Sequence, residues 1–298
     1  MITISAVIIV KNREKTIERC LKSIVDCDEI VILDTGSTDG TGEICRRYTD
    51  KYIANEYIWN DNFAEARNNA ASYATKDWIF VIDSDEWLED GGIKKIKEYL
   101  ETIGEKLTAQ VVANNSIMEY LTPRLYKNNS SIHYAKEFPV HEMFTFVDSD
   151  SVVDTIIYSE PKILDIDNPD PDRNLRILEG AMELYGEQPR NMYYLGKEYA
   201  SPKRGRYKEA INVLMKYIQR STFLRELEDA YLILAYCYDQ LGDKLRARVF
   251  AGHAVASNPN NSQAILFMAD LCDEKYRDRW LSFAEGATDE DTIIRLIK

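Results

Sequence analysis

Strand-length apolar runs alternate with helix-period segments from residue 1 to about 165, and the alternation then stops. Residues 5–10, 29–33, 52–54 and 78–82 read as strands. Ile17, Cys20, Leu21, Ile24 and Val25 share one helical face, Ile44, Cys45 and Tyr48 mark a second helix, and Ile93, Ile96, Leu100 and Ile103 mark another. Asn62-Phe63-Ala64-Glu65 reads as a capping box that opens an alanine-rich helix running through Ala74. Strands and helices in this alternation build right-handed βαβ units and a mainly parallel α/β sheet. Such sheets take their ligands at the carboxyl ends of the strands. Lys11-Asn12, Asp34-Thr35 and Asp83-Ser84-Asp85 all fall at such ends, so three separated segments are expected on one rim.

The third of these segments carries the most chemistry. An apolar run, Trp78-Ile79-Phe80-Val81-Ile82, ends abruptly in Asp83-Ser84-Asp85-Glu86. A buried strand has no use for acids at its end, because unpaired charge there is costly to desolvate. Two carboxylates one residue apart suit a hard divalent cation that in turn holds a phosphate. The stretch Asp34-Thr35-Gly36-Ser37-Thr38-Asp39-Gly40-Thr41, taken alone, is an ordinary strand-to-helix turn with a hydroxyl cap. Its place between the other two segments favours a binding role. A formal net charge of −13 argues against a nucleic-acid backbone as the main partner. One bound cation would still invert the local sign and admit an anionic substrate.

Met1-Ile2-Thr3-Ile4-Ser5-Ala6-Val7-Ile8-Ile9-Val10 is apolar but too short to span a membrane, and it lacks a basic leader and a small-residue cleavage site. A cytoplasmic protein without a membrane span is expected. Cys20, Cys27, Cys45, Cys237 and Cys272 are scattered, odd in number and without metal-ligand spacing, which fits reduced thiols.

After Asn168-Pro169-Asp170-Pro171-Asp172 everything reads as helix, so the expected domains are 1–167 and 168–298. In a frame of about 34 residues starting at Glu228, Tyr231, Leu234, Ala235 and Tyr238 take first-helix packing positions. Gly242 falls at the turn, Ala247, Ala251 and Ala254 on the second helix, and Pro259 at the close. Leu195, Gly196, Tyr199 and Ala210 form an earlier copy with a longer turn, and Met268, Ala269 and Cys272 begin a later, atypical one. This is the pattern of an all-α, tetratricopeptide-like repeat domain rather than a generic bundle.

Taken together, the segments of the first half resemble the inverting family 2 glycosyltransferases of the GT-A fold, over roughly residues 1 to 145. The resemblance implies a Rossmann-like nucleotide-sugar-binding domain. Val10, Lys11, Asn12 and Glu14 would lie in the first nucleotide-binding region, with Asp34 and Thr35 in the second. Asp83 and Asp85 would stand as the metal-binding acids for Mg²⁺ or Mn²⁺ on the diphosphate, Asp85 as the direct ligand and Asp83 through ribose or water, with Ser84 between them. Many members carry a second acid where this chain has Thr35, which weakens the case for one particular uracil contact while leaving UDP the preferred nucleotide. Arg67, in the family-like Phe63-Ala64-Glu65-Ala66-Arg67-Asn68-Asn69-Ala70, would face the rim as a donor to nucleotide or phosphate. Phe138-Pro139-Val140-His141-Glu142 resembles the place of the family's base, with Glu142 the first choice, Glu137 the alternative, and His141 a candidate metal or phosphate contact. A histidine found in the family after the next strand is missing, Ile157-Tyr158-Ser159-Glu160 standing there instead.

A GT-A domain joined to such repeats resembles bacterial enzymes that glycosylate peptides or proteins. It implies metal-dependent, inverting transfer from UDP-glucose or UDP-N-acetylglucosamine to a polypeptide held by the repeats, with a homodimer as a possible assembly. The alternatives are transfer to a cell-envelope saccharide or small molecule, and a non-catalytic scaffold with a vestigial transferase domain.

Overall fold

The computed structural model describes residues 1–115, 119–128, 131–159 and 170–289. It divides into two compact units, Met1–Pro171 and Asp172–Lys298. The expected boundary at 167/168 and Glu160 lie outside the described residues.

The first unit runs β1 (Ile4–Val10), α1 (Ile17–Ser23), β2 (Glu29–Asp34), α2 (Thr41–Cys45), β3 (Tyr52–Ala54), α3 (Phe63–Ala71), β4 (Trp78–Val81), β5 (Glu86–Leu88), α4 (Gly92–Leu100), β6 (Thr108–Asn114), β7 (Glu119–Lys127) and β8 (Val152–Ser159). The strands form one sheet in the order β3-β2-β1-β4-β7-β6-β8-β5. β3, β2, β1 and β4 are mutually parallel. Beyond β4 the sheet is mixed: β7 is antiparallel to β4 and β6, β6 and β8 are parallel, and β5 returns antiparallel to β8. The mainly parallel sheet expected from the sequence therefore holds for its first half only. β6 and β7 are only a few residues apart in sequence, which suits antiparallel pairing, because parallel neighbours need a crossover of a dozen or more residues.

Both faces of the parallel half are covered, which is why its strands read as unbroken apolar runs. Ile4, Ala6, Ile8 and Val10 of β1 pack with Ile17, Cys20 and Leu21 of α1, with Ile24 just after it, and with Ile93, Ile96 and Leu100 of α4. Val7, Val31, Leu33, Ile79 and Val81 point to the other face, against Ala64, Ala66 and Ala70 of α3. Asn62 caps α3 by accepting from the Glu65 amide at 2.9 Å. The Glu65 carboxylate bonds Asn60. The helix ends at Ala71 rather than Ala74 because the Ser72 hydroxyl turns back to the Asn69 carbonyl. All five cysteines are free.

The second unit is helical throughout its described residues: α5 (Arg173–Tyr185), α6 (Pro189–Ala200), α7 (Tyr207–Tyr217), α8 (Leu224–Gln240), α9 (Lys244–Ser257), α10 (Ser262–Leu271) and α11 (Glu274–Glu285). α6 pairs with α7, α8 with α9, and α10 with α11. The close approach of α6 to α7 needs a glycine: a Cβ on Gly196 would lie 2.4 Å from Leu214 Cγ. Ala235 meets the buried Ala247 and Ala251 at the α8–α9 contact. Between these helices Gly242 adopts φ +80°, the left-handed conformation that ends a helix cheaply. Phe250 stacks on Tyr238 with ring centroids 5.4 Å apart. Among the described residues no helix is long and apolar enough to cross a membrane.

Candidate active site

Because β2, β1 and β4 are adjacent and parallel, their carboxyl ends deliver three loops to one edge, spread over about 10 Å. Val10 and Asp34 are aligned across the sheet. Asn12 then takes φ +52°, a conformation asparagine tolerates, and so faces the β2 loop. Its amide donates to Ser37 Oγ at 2.9 Å and its Oδ1 accepts from the Thr38 amide at 2.7 Å. Glu14 Oε2 accepts from the Gly40 amide at 2.9 Å. Lys11 is exposed beside them, and Val10 is buried.

Asp34 is buried and shapes the turn: Oδ1 accepts from the Gly36 and Ser37 amides at 2.9 and 2.7 Å, and Oδ2 accepts from the Tyr52 hydroxyl. Burial and then this carboxylate push the Tyr52 phenol well up from its ordinary value. The Thr35 hydroxyl donates to the Val10 carbonyl at 3.2 Å, so in this chain it braces two strand ends. Asp34, Ser37, Arg46, Tyr52 and Asn55 line a cleft of about 310 Å³.

At β4 the chain makes a tight turn. The Glu86 amide donates to the Asp83 carbonyl at 2.9 Å, and the Asp83 amide donates to Glu86 Oε2 at 3.0 Å. Asp83 lies between two guanidinium groups, with Oδ1 2.7 Å from Arg67 Nη2 and Oδ2 3.5 Å from Arg124 Nη2. Arg67 Nε also donates to Glu142 Oε1 at 2.9 Å, and Arg124 Nη2 donates to Glu86 Oε1 at 2.6 Å. Glu142, Arg67, Asp83, Arg124 and Glu86 thus form one chain of alternating charge. Burial works against the Arg67 charge, and Asp83 and Glu142 more than offset it, holding the guanidinium well above its ordinary value. Burial pushes Glu86 up to about 7, with Arg124 pulling against the rise and Asp83 adding to it. Arg67 Nη1 is buried without a hydrogen-bond acceptor.

Asp85 differs from Asp83. It is half-buried and makes no hydrogen bond or ion pair among the described residues. No group of three His, Cys, Asp or Glu side chains suited to a metal ion occurs among the described residues. The Asp85 carboxylate could hold a hard cation only together with oxygen donors from elsewhere, such as phosphate oxygens and water. Ser84 is buried between the two acids.

Of the two candidate bases, Glu142 joins the charge chain through Arg67. Glu137 lines a separate open groove of about 510 Å³ with Tyr57, Asn68, Asn69, His133 and Lys136. Asn68 and Asn69 immediately follow Arg67, whose guanidinium is buried toward Asp83. His141 has φ +58° and turns the chain just before Glu142. The preceding Pro139 carbonyl accepts from the Phe63 amide at 2.8 Å, which docks this segment on the start of α3.

Sequence reasoning missed Arg124, the role of Glu86, and Tyr52. The signals were present. An arginine beside the apolar Leu125 and Tyr126 must find an acid if buried, and Glu86 is the third acid in the Asp83-Ser84-Asp85-Glu86 run.

Residues 5–151 match the family model described as Glycosyl transferase family 2. The SPbeta prophage-derived glycosyltransferase SunS of Bacillus subtilis (strain 168) is 30% identical over 234 residues, covering 72% of this chain and 53% of that protein. A TPR repeat-containing protein of Synechococcus elongatus is 31% identical over 147 residues, covering 48% of this chain and 36% of its own length. The chain thus spans about half, or less, of these curated relatives. Among solved structures, S. aureus TarS 1-349 in complex with UDP-GlcNAc aligns at a TM-score of 0.47 and 15% identity, over 85% of this chain and 92% of that one. The first unit of this chain is a family 2 glycosyltransferase domain.

Proposed function

We propose that the chain transfers a sugar from a UDP-sugar to a polypeptide with inversion at the anomeric carbon, assisted by Mg²⁺ or Mn²⁺. The observation that carries the donor half is the separation of roles between two neighbouring acids. Asp83 is held by Arg67 and Arg124, whereas Asp85 has no protein partner among the described residues and stands ready for a cation on a diphosphate. When bound, the cation would neutralise charge building on the departing diphosphate.

The chain's own residues do the rest. The braced loops around Asn12 and Asp34 bind the nucleoside, and Arg67 stands behind the rim, holding Asp83 and Glu142 in place. In the transfer, the acceptor heteroatom bonds to the anomeric carbon as the bond to the diphosphate oxygen breaks. The acceptor proton passes to the Glu142 carboxylate, whose Oε1 is oriented by Arg67. His141 turns the chain to present that carboxylate.

For the acceptor half, the paired helices of the second unit support a tetratricopeptide-like reading. Gly196 and Ala235 fall at the same frame position, and the small buried residues Ala247, Ala251 and Ala254 fall where the second helix must be narrow. Stacked helix pairs of this kind present an extended face suited to a polypeptide. The test is UDP release from UDP-glucose and UDP-N-acetylglucosamine, with and without Mn²⁺, in wild type and Asp85→Ala. Cation-dependent release that disappears in the variant supports the reading, and an equally active variant sinks the metal assignment.

A further inference from the structure

Arg124 and Glu86 have no role in the reaction just described, yet they are built into the fold with some care. Both are buried, at 9% and 7% exposure, and their ion pair is 2.6 Å long. A buried ion pair is not by itself more stabilising than apolar side chains of similar volume. Its presence here therefore calls for a reason other than stability.

The backbone supplies a second observation. Along the β6–β7 ladder Ala109 faces Leu125 and Gln110 faces Pro123, so Arg124 is the extra residue of a β-bulge. Pro123 has no amide hydrogen to give to a ladder, and a bulge is where a proline is tolerated inside a sheet. Bulges re-aim one side chain, often beside an active site. Here the re-aimed side chain is Arg124, and it meets both Glu86 and Asp83 with one nitrogen, Nη2. Its Nε is left buried without an acceptor, so the guanidinium is not placed to satisfy itself.

The geometry points to Arg124 as a positioning residue: through Glu86 and Asp83 it fixes the turn that sets where the Asp85 carboxylate stands. Glu86 holds the turn by two backbone bonds, Arg124 holds Glu86, and Arg124 and Arg67 hold the two oxygens of Asp83 from opposite ends. Asp85 lies inside that turn and has no partner of its own among the described residues, so its placement comes from these neighbours. This inference rests on the reading of Asp85 as the carboxylate that meets the cation.

The test measures Mn²⁺ affinity in the presence of saturating UDP, by electron paramagnetic resonance of free Mn²⁺, on the full chain. The double variant Arg124→Met/Glu86→Gln removes both charges, so neither is stranded. Arg124→Lys keeps the charge but moves it off the planar guanidinium position from which Nη2 meets both acids. Both are expected to weaken Mn²⁺ affinity about 10- to 100-fold, the usual effect of losing a partner behind a metal ligand. Affinity for UDP without Mn²⁺ is expected to stay within about twofold of wild type, which a general loosening of the domain would not produce. Wild-type Mn²⁺ affinity in either folded variant overturns the positioning role, as does an equal loss of cation-free UDP affinity. If wild type and Asp85→Ala bind Mn²⁺ alike, the reading of Asp85 fails instead, and that outcome is separately visible.

Discussion

Replacing Arg67 by methionine strikes the point where stability and site geometry meet. The guanidinium makes charge-assisted hydrogen bonds of 2.9 Å to Glu142 and 2.7 Å to Asp83. Each such bond is worth about 1.5–3 kcal/mol, so the pair sums to about 3–6 kcal/mol. The Asp83 side chain is 30% exposed, against 15% for Glu142, so water recovers part of the Asp83 term. The expected loss is about 3–4 kcal/mol, a large fraction of an ordinary domain's stability. Arg67→Lys can serve one carboxylate but not both, and the expected loss is about half as large. Urea unfolding followed by fluorescence would report both values, with the denaturant slope unchanged if the native surface is preserved. The same variants should lower UDP-sugar turnover at least about tenfold, since the braces of Asp83 and Glu142 disappear together. An Arg67→Met protein within about 1 kcal/mol of wild type would refute the assignment of Arg67 as the hub of the charge chain.

Three further perturbations read other parts of the molecule. Gly196→Ala places a methyl 2.4 Å from Leu214 Cγ, so a net loss of about 1–2 kcal/mol is expected after the helix-propensity gain, and Leu214→Ala in the same chain should remove that penalty. A double-variant cycle by urea unfolding measures the coupling, and independent, additive effects would contradict the close packing of α6 on α7. Glu29, despite its burial, is held at about 2 by hydrogen bonds from Lys51, Ser5 and Thr75, below its ordinary value of 4.5. Its folded value is the lower one, so its contribution of about 2 kcal/mol is present above pH 4.5 and is lost as pH falls toward 2. Glu29→Gln should therefore differ from wild type at pH 6, by less at pH 3, and approach it only as pH falls through about 2, and a gap independent of pH would contradict the pairing. Asp34→Ala strands the Gly36 and Ser37 amides and the Tyr52 hydroxyl, with an expected loss of about 2 kcal/mol in urea and weaker UDP binding whether or not Mn²⁺ is present.

Much of the first unit was legible because its physics is local. β1, β2 and β4 are apolar on both faces over most of their length, and the acids that end β2 and β4, Asp34 and Asp83, stand out against that background. The mixed half of the sheet was not legible in the same way. β7 begins with exposed residues at Glu119, Tyr120 and Leu121, and its partners are fixed by long-range pairing rather than by period. The charge chain was only half visible. Asp83 and Arg67 could be named from their segments, but the approach of Arg124 depends on a bulge, and one extra residue in a ladder leaves no periodic trace. Glu142 was preferred over Glu137 only through the family resemblance of its segment, the two lying five residues apart around a proline. The fold separates them, because the docking of Pro139 on α3 and the left-handed His141 send Glu142 to Arg67 and leave Glu137 in the groove. In the second unit the small residues marked the helix contacts correctly, since only glycine or alanine allows helices so close.

The central claim is that Asp85, rather than Asp83, meets a cation on the donor diphosphate. Calorimetric titration of UDP into wild type, Asp85→Ala and Asp83→Asn, each with and without Mn²⁺, tests it most directly. The expected result is a gain of about tenfold or more from Mn²⁺ in wild type, about 1.4 kcal/mol, that is absent in Asp85→Ala and reduced but present in Asp83→Asn. Full Mn²⁺ enhancement in Asp85→Ala would contradict the account.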